Sequence, residues 1–342
     1  MENKQNLDFL AIGDITTDAF IRLKEAEIRC DHGSEDCKLC VSYGDKIPYE
    51  FVEIVRAVGN SANAAVSASR LGLTSAFLGT VGDDQNGKEC IESLQKDKVV
   101  TDYINIDKDQ PTNYHYVLWY DVDRTILVKH APFKYKIPEA LEMNPSKWIY
   151  LSSLGDSSLE FHEQIVAYIL RHPEIRLAFQ PGTFQIKLGT EKLKDIYART
   201  EIFFCNVNEA ERILGITSAS LPVDQKEKVL KLMEMIRALG PKIVSITDGI
   251  DGASVYDGTE AWYIPVYPHE PYDRTGAGDA FSSTFTSALI LGKSIEEALM
   301  WGPINSMSVV QYIGAQKGLL SREALLDYLA KAPENYKPKK IN

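Results

Sequence analysis

The chain has 342 residues, of which 44% are hydrophobic and 25% are charged, and its formal net charge is −11. This composition is typical of a globular protein with a large core. The negative charge disfavours general binding to nucleic acid, whose phosphates it repels. No apolar run approaches the roughly 20 residues that span a bilayer, and the polar first six residues contain no apolar signal core. We therefore expect a cytoplasmic protein that binds neither nucleic acid nor membranes.

Short apolar runs alternate with segments of helical periodicity along most of the chain. The runs are typical of buried strands and lie at 7–12, 76–81, 148–151, 177–179, 202–205 and 242–246. Segments with helical spacing lie at 62–71, 159–170 and 226–239. Strands that alternate with helices pair in parallel through right-handed crossovers. The pattern therefore predicts a layered α/β fold.

Two segments interrupt this alternation. Residues 19–54 are long, polar and cysteine-bearing, whereas residues 113–128 are rich in Tyr, Val, Trp, Ile and Leu, with a turn at 121–124. The second segment predicts a β-hairpin. A few strands inserted into an α/β core typically form a lid over the ligand crevice, and the chain has no internal repeat or clear linker. We therefore expect a single domain, residues 1–342, with lid segments at approximately 19–54 and 113–128.

Three of the five cysteines, Cys30, Cys37 and Cys40, lie in the first lid segment near His32. These four side chains could supply the ligands of a zinc ion, because a Cys-x-x-Cys pair is a common half-site. The spacing of Cys30 and His32 is not a standard one, and buried thiols or a redox-sensitive pair are the alternatives. The odd cysteine count argues against a disulfide framework.

The most informative stretch is Asp-Arg-Thr-Gly-Ala-Gly-Asp-Ala-Phe, residues 273–281, which apolar residues follow at helical spacing. Small residues leave backbone N–H groups uncovered at the start of a helix, where the helix dipole attracts anions. Gly276, Ala277 and Gly278 can therefore stabilise a phosphoryl group during its transfer. Asp279 then serves as the general base for the attacking hydroxyl. A helix cap with an acid in its first turn is the structural alternative.

This stretch closely resembles the C-terminal signature of the PfkB (ribokinase-like) carbohydrate kinases, and further matches follow in family order from Gly13 to Ala315. The resemblance implies a three-layer α/β/α sandwich with a small β-sheet lid. It also implies an ATP-dependent transfer of the γ-phosphoryl group to a hydroxyl of a sugar or sugar-like molecule, with Mg²⁺ as a cofactor.

Two N-terminal matches imply the acceptor site. Gly-Asp-Ile-Thr-Thr-Asp resembles the end of the family's first strand, and its final acid, Asp18, would accept hydrogen bonds from sugar hydroxyls. The second match begins at Val58 and implies that Gly59, Asn60 and Asn63 face the acceptor. The family usually has glycine at the position of Val58, and a β-branched residue does not readily adopt positive φ. We therefore expect a different turn or pocket shape here.

The remaining matches imply the metal and nucleotide sites. Asn208 and Glu211 resemble the Asn-x-x-Glu motif that positions magnesium largely through water, although Asn206 and Glu209 have the same spacing. By resemblance, five residues lie on the nucleotide side: Thr247, Gly249, Thr275, Asn305 and Gly314. Asp273, Thr275 and carbonyls near Gly314 can also build a site for a monovalent cation.

One near-motif, two histidines and one arginine carry weaker functional signals. Residues 82–89 nearly spell a P-loop, but the motif ends in Glu89 and contains two aspartates, which oppose phosphate binding. His115 and His130 are expected to be structural or solvent-facing. Arg124 could contact an anionic acceptor or form a cross-strand ion pair.

The acceptor itself is not identified by the sequence. A nucleoside kinase of the adenosine-kinase kind shares the same catalytic turn, and aromatic residues of the hairpin could stack on a base. A non-catalytic sugar or nucleotide sensor is a further alternative, which the intact Asp279 opposes. A homodimer through the lid is also expected, because exposed lid strands often pair between subunits.

Overall fold

The computed structural model describes residues 6–30, 37–121 and 123–341. Strands and helices alternate in the order that the apolar runs predict. The described strands are β1 (Phe9–Ile12), β2 (Thr16–Leu23), β3 (Glu27–Cys30), β4 (Cys37–Cys40), β5 (Tyr49–Val58), β6 (Ser75–Leu78), β7 (Thr80–Gly82), β8 (Asn105–Asp107), β9 (Asn113–Tyr120), β10 (Asp123–Leu127), β11 (Trp148–Leu151), β12 (Arg176–Phe179), β13 (Thr200–Asn206), β14 (Ile243–Thr247), β15 (Ala253–Tyr256), β16 (Ala261–Ile264) and β17 (Lys339–Lys340). The described helices are α1 (Asn60–Arg70), α2 (Gln85–Lys96), α3 (Leu159–Arg171), α4 (Thr183–Leu188), α5 (Lys194–Arg199), α6 (Val207–Leu214), α7 (Gln225–Arg237), α8 (Ala277–Ile290), α9 (Ile295–Val309) and α10 (Arg322–Ala330).

A mixed sheet forms the centre of the molecule, with the strand order β17-β16-β15-β14-β13-β12-β11-β1-β6. The strands from β14 to β6 pair in parallel, and β15, β16 and β17 extend the sheet in antiparallel fashion. The predicted strand at 76–81 is divided between β6 and β7 at Gly79, where a β-carbon would lie 2.5 Å from the carbonyl oxygen of Gly13. The other predicted strands lie within two residues of the observed ones.

Helices cover both faces of this sheet. Phe9 and Ala11 of β1 belong to the core that includes α1, α2, α8, α9 and α10, whereas Leu10 and Ile12 belong to the core that includes α3, α5, α6 and α7. Parallel strands buried on both faces need apolar side chains in both alternating sets, which explains the continuous apolar runs. The predicted three-layer α/β/α sandwich is confirmed. No helix in the described ranges is long and apolar enough to cross a membrane.

A second sheet, which we call the lid, has the strand order β10-β9-β2-β5. It contains the predicted hairpin, in which β9 and β10 pair in antiparallel fashion. The first lid segment runs from Thr16 in β2 to Val58 in β5, so it is longer than the predicted range 19–54. The extension arises because Thr16 pairs directly with Val58 where the chain enters and leaves the lid.

The two faces of the lid differ in chemistry. Asp18 pairs in register with His115, and both side chains line the cavity beneath the lid. On the opposite face, the register of β5, β2, β9 and β10 brings Ile54, Tyr116 and Leu127 into one row. All three side chains are exposed. The inner face of the lid therefore brings an acid–histidine pair to the cavity, and the outer face presents an apolar row.

The cysteine segment forms a small hairpin of β3 and β4, in which Cys30 and Cys37 are joined by a disulfide. Cys40 remains a free, partly exposed thiol, and His32 lies outside the described residues. The described residues contain no group of three or more potential metal ligands. The disulfide takes two of the four candidate zinc ligands, so the described residues form a disulfide-linked hairpin and not a four-ligand zinc site.

Candidate active site

Three adjoining cavities open beyond the carboxyl ends of the parallel strands, where open α/β sheets bind ligands. The lid cavity has a volume of about 440 Å³, and its lining includes Asp18, Asn60, Asn63, Asp279 and Gly314. The turn cavity has a volume of about 220 Å³, and its lining includes Gln180, Asn206, Glu209, Gly276, Ala277 and Gly278. The outer cavity has a volume of about 320 Å³, and its lining includes Thr247, Gly249, Ser306 and Met307. Asp279 lines both the lid and turn cavities, so it stands where the two meet.

The glycine turn at the start of α8 faces the turn cavity. Gly276 is the N-cap of α8 and has a φ of 80°, which favours glycine. A β-carbon at Gly276 would lie 2.4 Å from the β-carbon of Ala315. The N–H groups of Gly278 and Asp279 lie in the first helical turn, where no preceding turn offers them a carbonyl, and Ala277 N makes one long hydrogen bond of 3.5 Å to Arg274 O. Together with the helix dipole, this geometry suits the anion that the sequence predicts here.

Asp279 is only 8% exposed. Its carboxylate accepts hydrogen bonds from three side-chain amides: Asn60 Nδ2 at 2.8 Å, Asn63 Nδ2 at 2.8 Å and Gln180 Nε2 at 3.1 Å. Burial raises the pKa of Asp279, and these hydrogen bonds oppose that rise because they stabilise the charged form. A carboxylate in this setting is a stronger base than an exposed one.

Gln180 follows β12 and is itself held in one orientation. Ser282 Oγ donates to Gln180 Oε1 at 2.8 Å, and the Tyr150 hydroxyl also donates to this oxygen. With its oxygen occupied by two donors, the amide presents its NH₂ group to Asp279. The contact between Asp279 and the central sheet is the hydrogen bond from Gln180. Its geometry is fixed by Tyr150 on β11 and by the position of Gln180 directly after β12.

Two acid–histidine pairs lie in or beside the lid cavity. Asp18 Oδ1 is 3.3 Å from His115 Nδ1, and His130 Nδ1 is 2.8 Å from Asp14 Oδ2. Within the described part of the chain, Asp18 Oδ1 and His115 Nε2 are buried and have no hydrogen-bond partner. Buried polar atoms are normally satisfied. These two atoms are therefore positioned to bond a polar ligand.

The rest of the lid cavity is largely apolar. Its wall includes Phe20, Ile126, Val128 and Phe184, and the Phe184 ring packs edge-on against His130. No lysine or arginine is among the described residues that line this cavity. The cavity therefore favours an uncharged ligand with hydroxyl groups over one that carries a phosphate or a carboxylate.

The turn before α1 leaves Val58 without a positive φ. Val58 ends β5, while Ala57 adopts a φ of 57° and Gly59 a φ of 119°. A β-carbon at Gly59 would lie 2.7 Å from the carbonyl oxygen of Asp14. Positive φ therefore falls on Ala57 and Gly59 and not on Val58, and Gly59, Asn60 and Asn63 line the lid cavity.

The metal motif faces the site in the other register. Asn206 and Glu209 line the turn cavity, whereas Asn208 and Glu211 do not. Glu211 instead forms an ion pair with Lys228 at 2.8 Å. The cause is the capping box of α6, in which the Asn206 side chain accepts from Glu209 N and Glu209 Oε2 accepts from Asn206 N. The preferred register of Asn208 and Glu211 is therefore replaced by Asn206 and Glu209.

Of the five residues predicted on the nucleotide side, Thr247 and Gly249 line the outer cavity. Thr275 and Gly314 line the lid cavity instead, and Asn305 lines neither. Asn305 is fully buried between helices, where its Nδ2 donates to Thr284 Oγ1 at 2.7 Å and its Oδ1 accepts from Leu320 N at 2.9 Å. Asn305 therefore supports the packing of α8, α9 and the segment before α10, and it is corrected from a ligand contact to a structural residue.

The predicted cation site is organised around Asp273. Its Oδ1 accepts from the backbone N and the hydroxyl of Thr275, and its Oδ2 accepts from Gly314 N at 2.9 Å. Arg124 reaches down from the lid, with its Nη1 3.8 Å from Asp273 Oδ1. Arg124 thus contacts Asp273, and it brings positive charge to the place proposed for a cation.

A comparison of the chain with protein families agrees with this geometry. The model described as pfkB family carbohydrate kinase matches residues 46–322, which is most of the chain. The chain belongs to the pfkB family of carbohydrate kinases. Members of this family are ATP-dependent sugar phosphotransferases, so the kinase class predicted from the sequence is confirmed.

Individual pfkB relatives differ in what they act on. The ATP-dependent 6-phosphofructokinase of Thermoanaerobacterium thermosaccharolyticum is 29% identical over 274 residues, which cover 75% of this chain and 80% of that protein. The ribokinase of Bacillus subtilis is 29% identical over 273 residues, which cover 80% and 87%. Among solved structures, Arabidopsis thaliana ribokinase complexed with ribose and ATP has a TM-score of 0.78 at 21% identity, and 95% of this chain and 99% of that chain are covered. The nucleoside kinase of Methanocaldococcus jannaschii has a TM-score of 0.73 at 18% identity, with 95% and 98% covered.

Several residues of the pfkB site were missed from the sequence. His115 was expected to be structural or solvent-facing. The buried face of β9 consists of Asn113, His115, Val117 and Trp119, and this alternation is a sequence signal for the burial of His115. Its position beside Asp18 follows from the pairing of β9 with β2. Gln180, which directly follows a predicted strand, carried a comparable positional signal. Phe184 lies on the short helix α4 and had no such signal.

The glycine turn generates a prediction about stability. Gly276→Ala should lower the free energy of unfolding by about 1–2 kcal/mol from its left-handed φ alone, and the collision with Ala315 adds to this loss. Gly278→Ala is the matched control, because its β-carbon would lie 3.9 Å from the nearest atom, Gln180 Nε2. Urea unfolding of the free proteins measures both. Equal losses in the two variants would contradict the assigned turn geometry.

Proposed function

We propose that this pfkB kinase transfers the γ-phosphoryl group of ATP to a hydroxyl of an uncharged sugar or sugar-like acceptor, with Asp279 as the general base. The observation that carries the proposal is the position of Asp279, which lines both the lid cavity and the turn cavity. The acceptor hydroxyl lies on one side of this carboxylate and the phosphoryl group on the other. Asp279 takes the hydroxyl proton as the oxygen attacks the phosphorus.

The acceptor is oriented by the inner face of the lid. Asp18 Oδ1 and His115 Nε2 lack partners among the described residues, so they can accept from or donate to acceptor hydroxyls. The absence of lysine and arginine from the described lining argues against a phosphorylated sugar as the acceptor. The lid also covers the reacting atoms, and the exclusion of water limits the hydrolysis of ATP.

The nucleotide would occupy the outer cavity, with its phosphates toward the turn cavity. Thr247 lines both cavities, as do Ala277 and Gly278, so the two spaces are continuous. Arg274 also lines both and supplies positive charge next to the turn. The N–H groups of the glycine turn stabilise the charge of the phosphoryl group during transfer.

Magnesium fits the other wall of the turn cavity. Burial raises the pKa of Glu209, and the negative charge of Asp279 adds to this rise. A divalent cation would relieve this cost, because it favours the ionised carboxylate. Asn206 and Glu209 would hold Mg²⁺, largely through water, and the ion would neutralise phosphate charge.

A monovalent cation beside Asp273 and Thr275 remains a prediction. Arg124 supplies positive charge to the same carboxylate, so the proposal does not require an added cation.

A homodimer through the lid is supported by the exposed apolar row of Ile54, Tyr116 and Leu127, because such a surface favours a covering partner. The cytoplasmic location and the lack of nucleic-acid and membrane partners remain predictions from the sequence.

Nucleoside phosphorylation is the second candidate. The apolar wall of Phe20, Ile126, Val128 and Phe184 could accommodate a base while Asp18 binds the ribose hydroxyls. Both candidates use the same catalytic residues and differ only in what contacts this wall.

The base assignment predicts the behaviour of Asp279→Asn. Without a proton acceptor, turnover should fall by about 10²- to 10⁴-fold while ATP binding is retained. Steady-state rates and nucleotide titration measure the two quantities. Asp83→Asn is the matched control, since Asp83 is exposed and lies outside the three cavities. Turnover of Asp279→Asn within tenfold of the wild-type rate would contradict the proposal.

The uncharged lining predicts the outcome of an acceptor screen. ATP consumption should rise with a neutral sugar or a nucleoside and should stay at the acceptor-free rate with sugar phosphates. A phosphorylated sugar as the preferred acceptor would contradict the assigned chemistry of the lid cavity. Tight binding of sugars without turnover would instead favour the sensor alternative.

The register of the metal motif can be tested with two glutamates. Glu209→Gln should raise the Mg²⁺ concentration for half-maximal rate by about tenfold or more, because it removes a partner of the hydrated ion. Glu211→Gln should have the smaller effect, since Glu211 pairs with Lys228 outside the turn cavity. The opposite order would restore the register of Asn208 and Glu211.

A further inference from the structure

The Asn63 side chain makes two hydrogen bonds, one as a donor and one as an acceptor. Its Nδ2 donates to Asp279 Oδ2 at 2.8 Å, and its Oδ1 accepts from Gln316 Nε2 at 3.0 Å. An amide group has one accepting end and one donating end, so it can satisfy both partners in only one orientation. Asn63 and Gln316 are 4% and 7% exposed, so water does not readily replace either partner.

Gln316 is itself held firmly from three directions. Its Nε2 also donates to Ala57 O at 2.7 Å, at the strained turn before α1. Its backbone oxygen accepts from Arg70 Nη1 at 2.7 Å, and Arg70 is paired with Asp97. Since both recorded bonds of the Gln316 side chain use its NH₂ end, Gln316 acts as a donor toward Asn63.

We propose that Gln316 is a positioning residue for phosphoryl transfer, which acts on Asp279 by holding the Asn63 amide with its NH₂ group toward the carboxylate. The role rests on the proposed function of Asp279 as the base. Gln316 does not line any of the three cavities of the site. Its influence therefore passes through Asn63.

The orientation of Asn63 matters because of the surroundings of Asp279. Asp279 lies near two other titratable groups, Glu209 and the deeply buried Tyr150. Burial raises the pKa of both, and the negative charge of Asp279 raises it further. Burial also raises the pKa of Asp279, and the three amide donors oppose that rise. A reversed Asn63 would replace one of these donors with an oxygen that repels the carboxylate.

Two substitutions of Gln316 test this role. Gln316→Glu keeps the shape but replaces the donor with an acceptor, which favours the reversed Asn63. The acidic limb of the pH profile of kcat/KM should move up by about one pH unit, as expected for a lost bond to a charged group, so kcat/KM on that limb should fall by about tenfold at a given pH. Gln316→Met removes the donor without reversing it and should give a smaller shift in the same direction. The KM for ATP should not change. Gln311→Met, in the same segment, should keep the wild-type profile because the Gln311 amide bonds to Met307 in the last turn of α9, away from Asn63.

A double-mutant cycle separates this role from support of the turn at Ala57. If Gln316 acts through Asn63, Gln316→Met should reduce kcat by less than twofold in the Asn63→Ala background. An equal reduction in both backgrounds, or an unshifted profile in Gln316→Glu, would overturn the positioning role. If the Gln316 tests fail while Asp279→Asn abolishes turnover in the same assay, only the positioning role is overturned and the proposed function stands. If Asp279→Asn retains turnover, the base assignment fails and the positioning role fails with it.

Discussion

The site depends on one electrostatic conflict, a buried carboxylate placed at the start of a helix that attracts anions. Burial disfavours the charge on Asp279, and an arriving phosphoryl group would disfavour it further. Three neutral amides resolve the conflict, because they stabilise the charge by donation without adding a cation that would suppress basicity. Two of the amides lie on α1 and the third follows β12, so the environment of one side chain on α8 depends on how α1, α8 and the central sheet pack together.

Much of the fold follows from local sequence. The continuous apolar runs predicted the parallel strands because side chains on both faces are buried, and the glycine turn predicted the start of α8 because only glycine fits at Gly276. Asp18, Asn60 and Asn63 could be found because they lie in stretches that resemble family motifs, and Asp279 because it lies at the start of a predicted helix.

The remaining parts of the site depend on contacts that local sequence does not contain. The register of the metal motif was decided by a capping box, which directs Glu209 inward and leaves Glu211 for Lys228. Asn305 lies in a polar contact between helices, and a buried amide has the same sequence signal whether it bonds to a ligand or to Thr284. His115 required knowledge of which face of β9 is covered.

The meeting of strand ends at one edge has a consequence for how such a kinase can diversify. Gln180, Asn206 and Thr247 each follow or end a different parallel strand, and they line the turn cavity, where we propose that the phosphoryl group binds. The wall of the lid cavity is built by other elements, including Ile126 on β10 and Phe184 on α4. Evolution can therefore exchange residues of that wall and adopt a new acceptor, while the phosphoryl-transfer apparatus and the buried sheet are inherited unchanged.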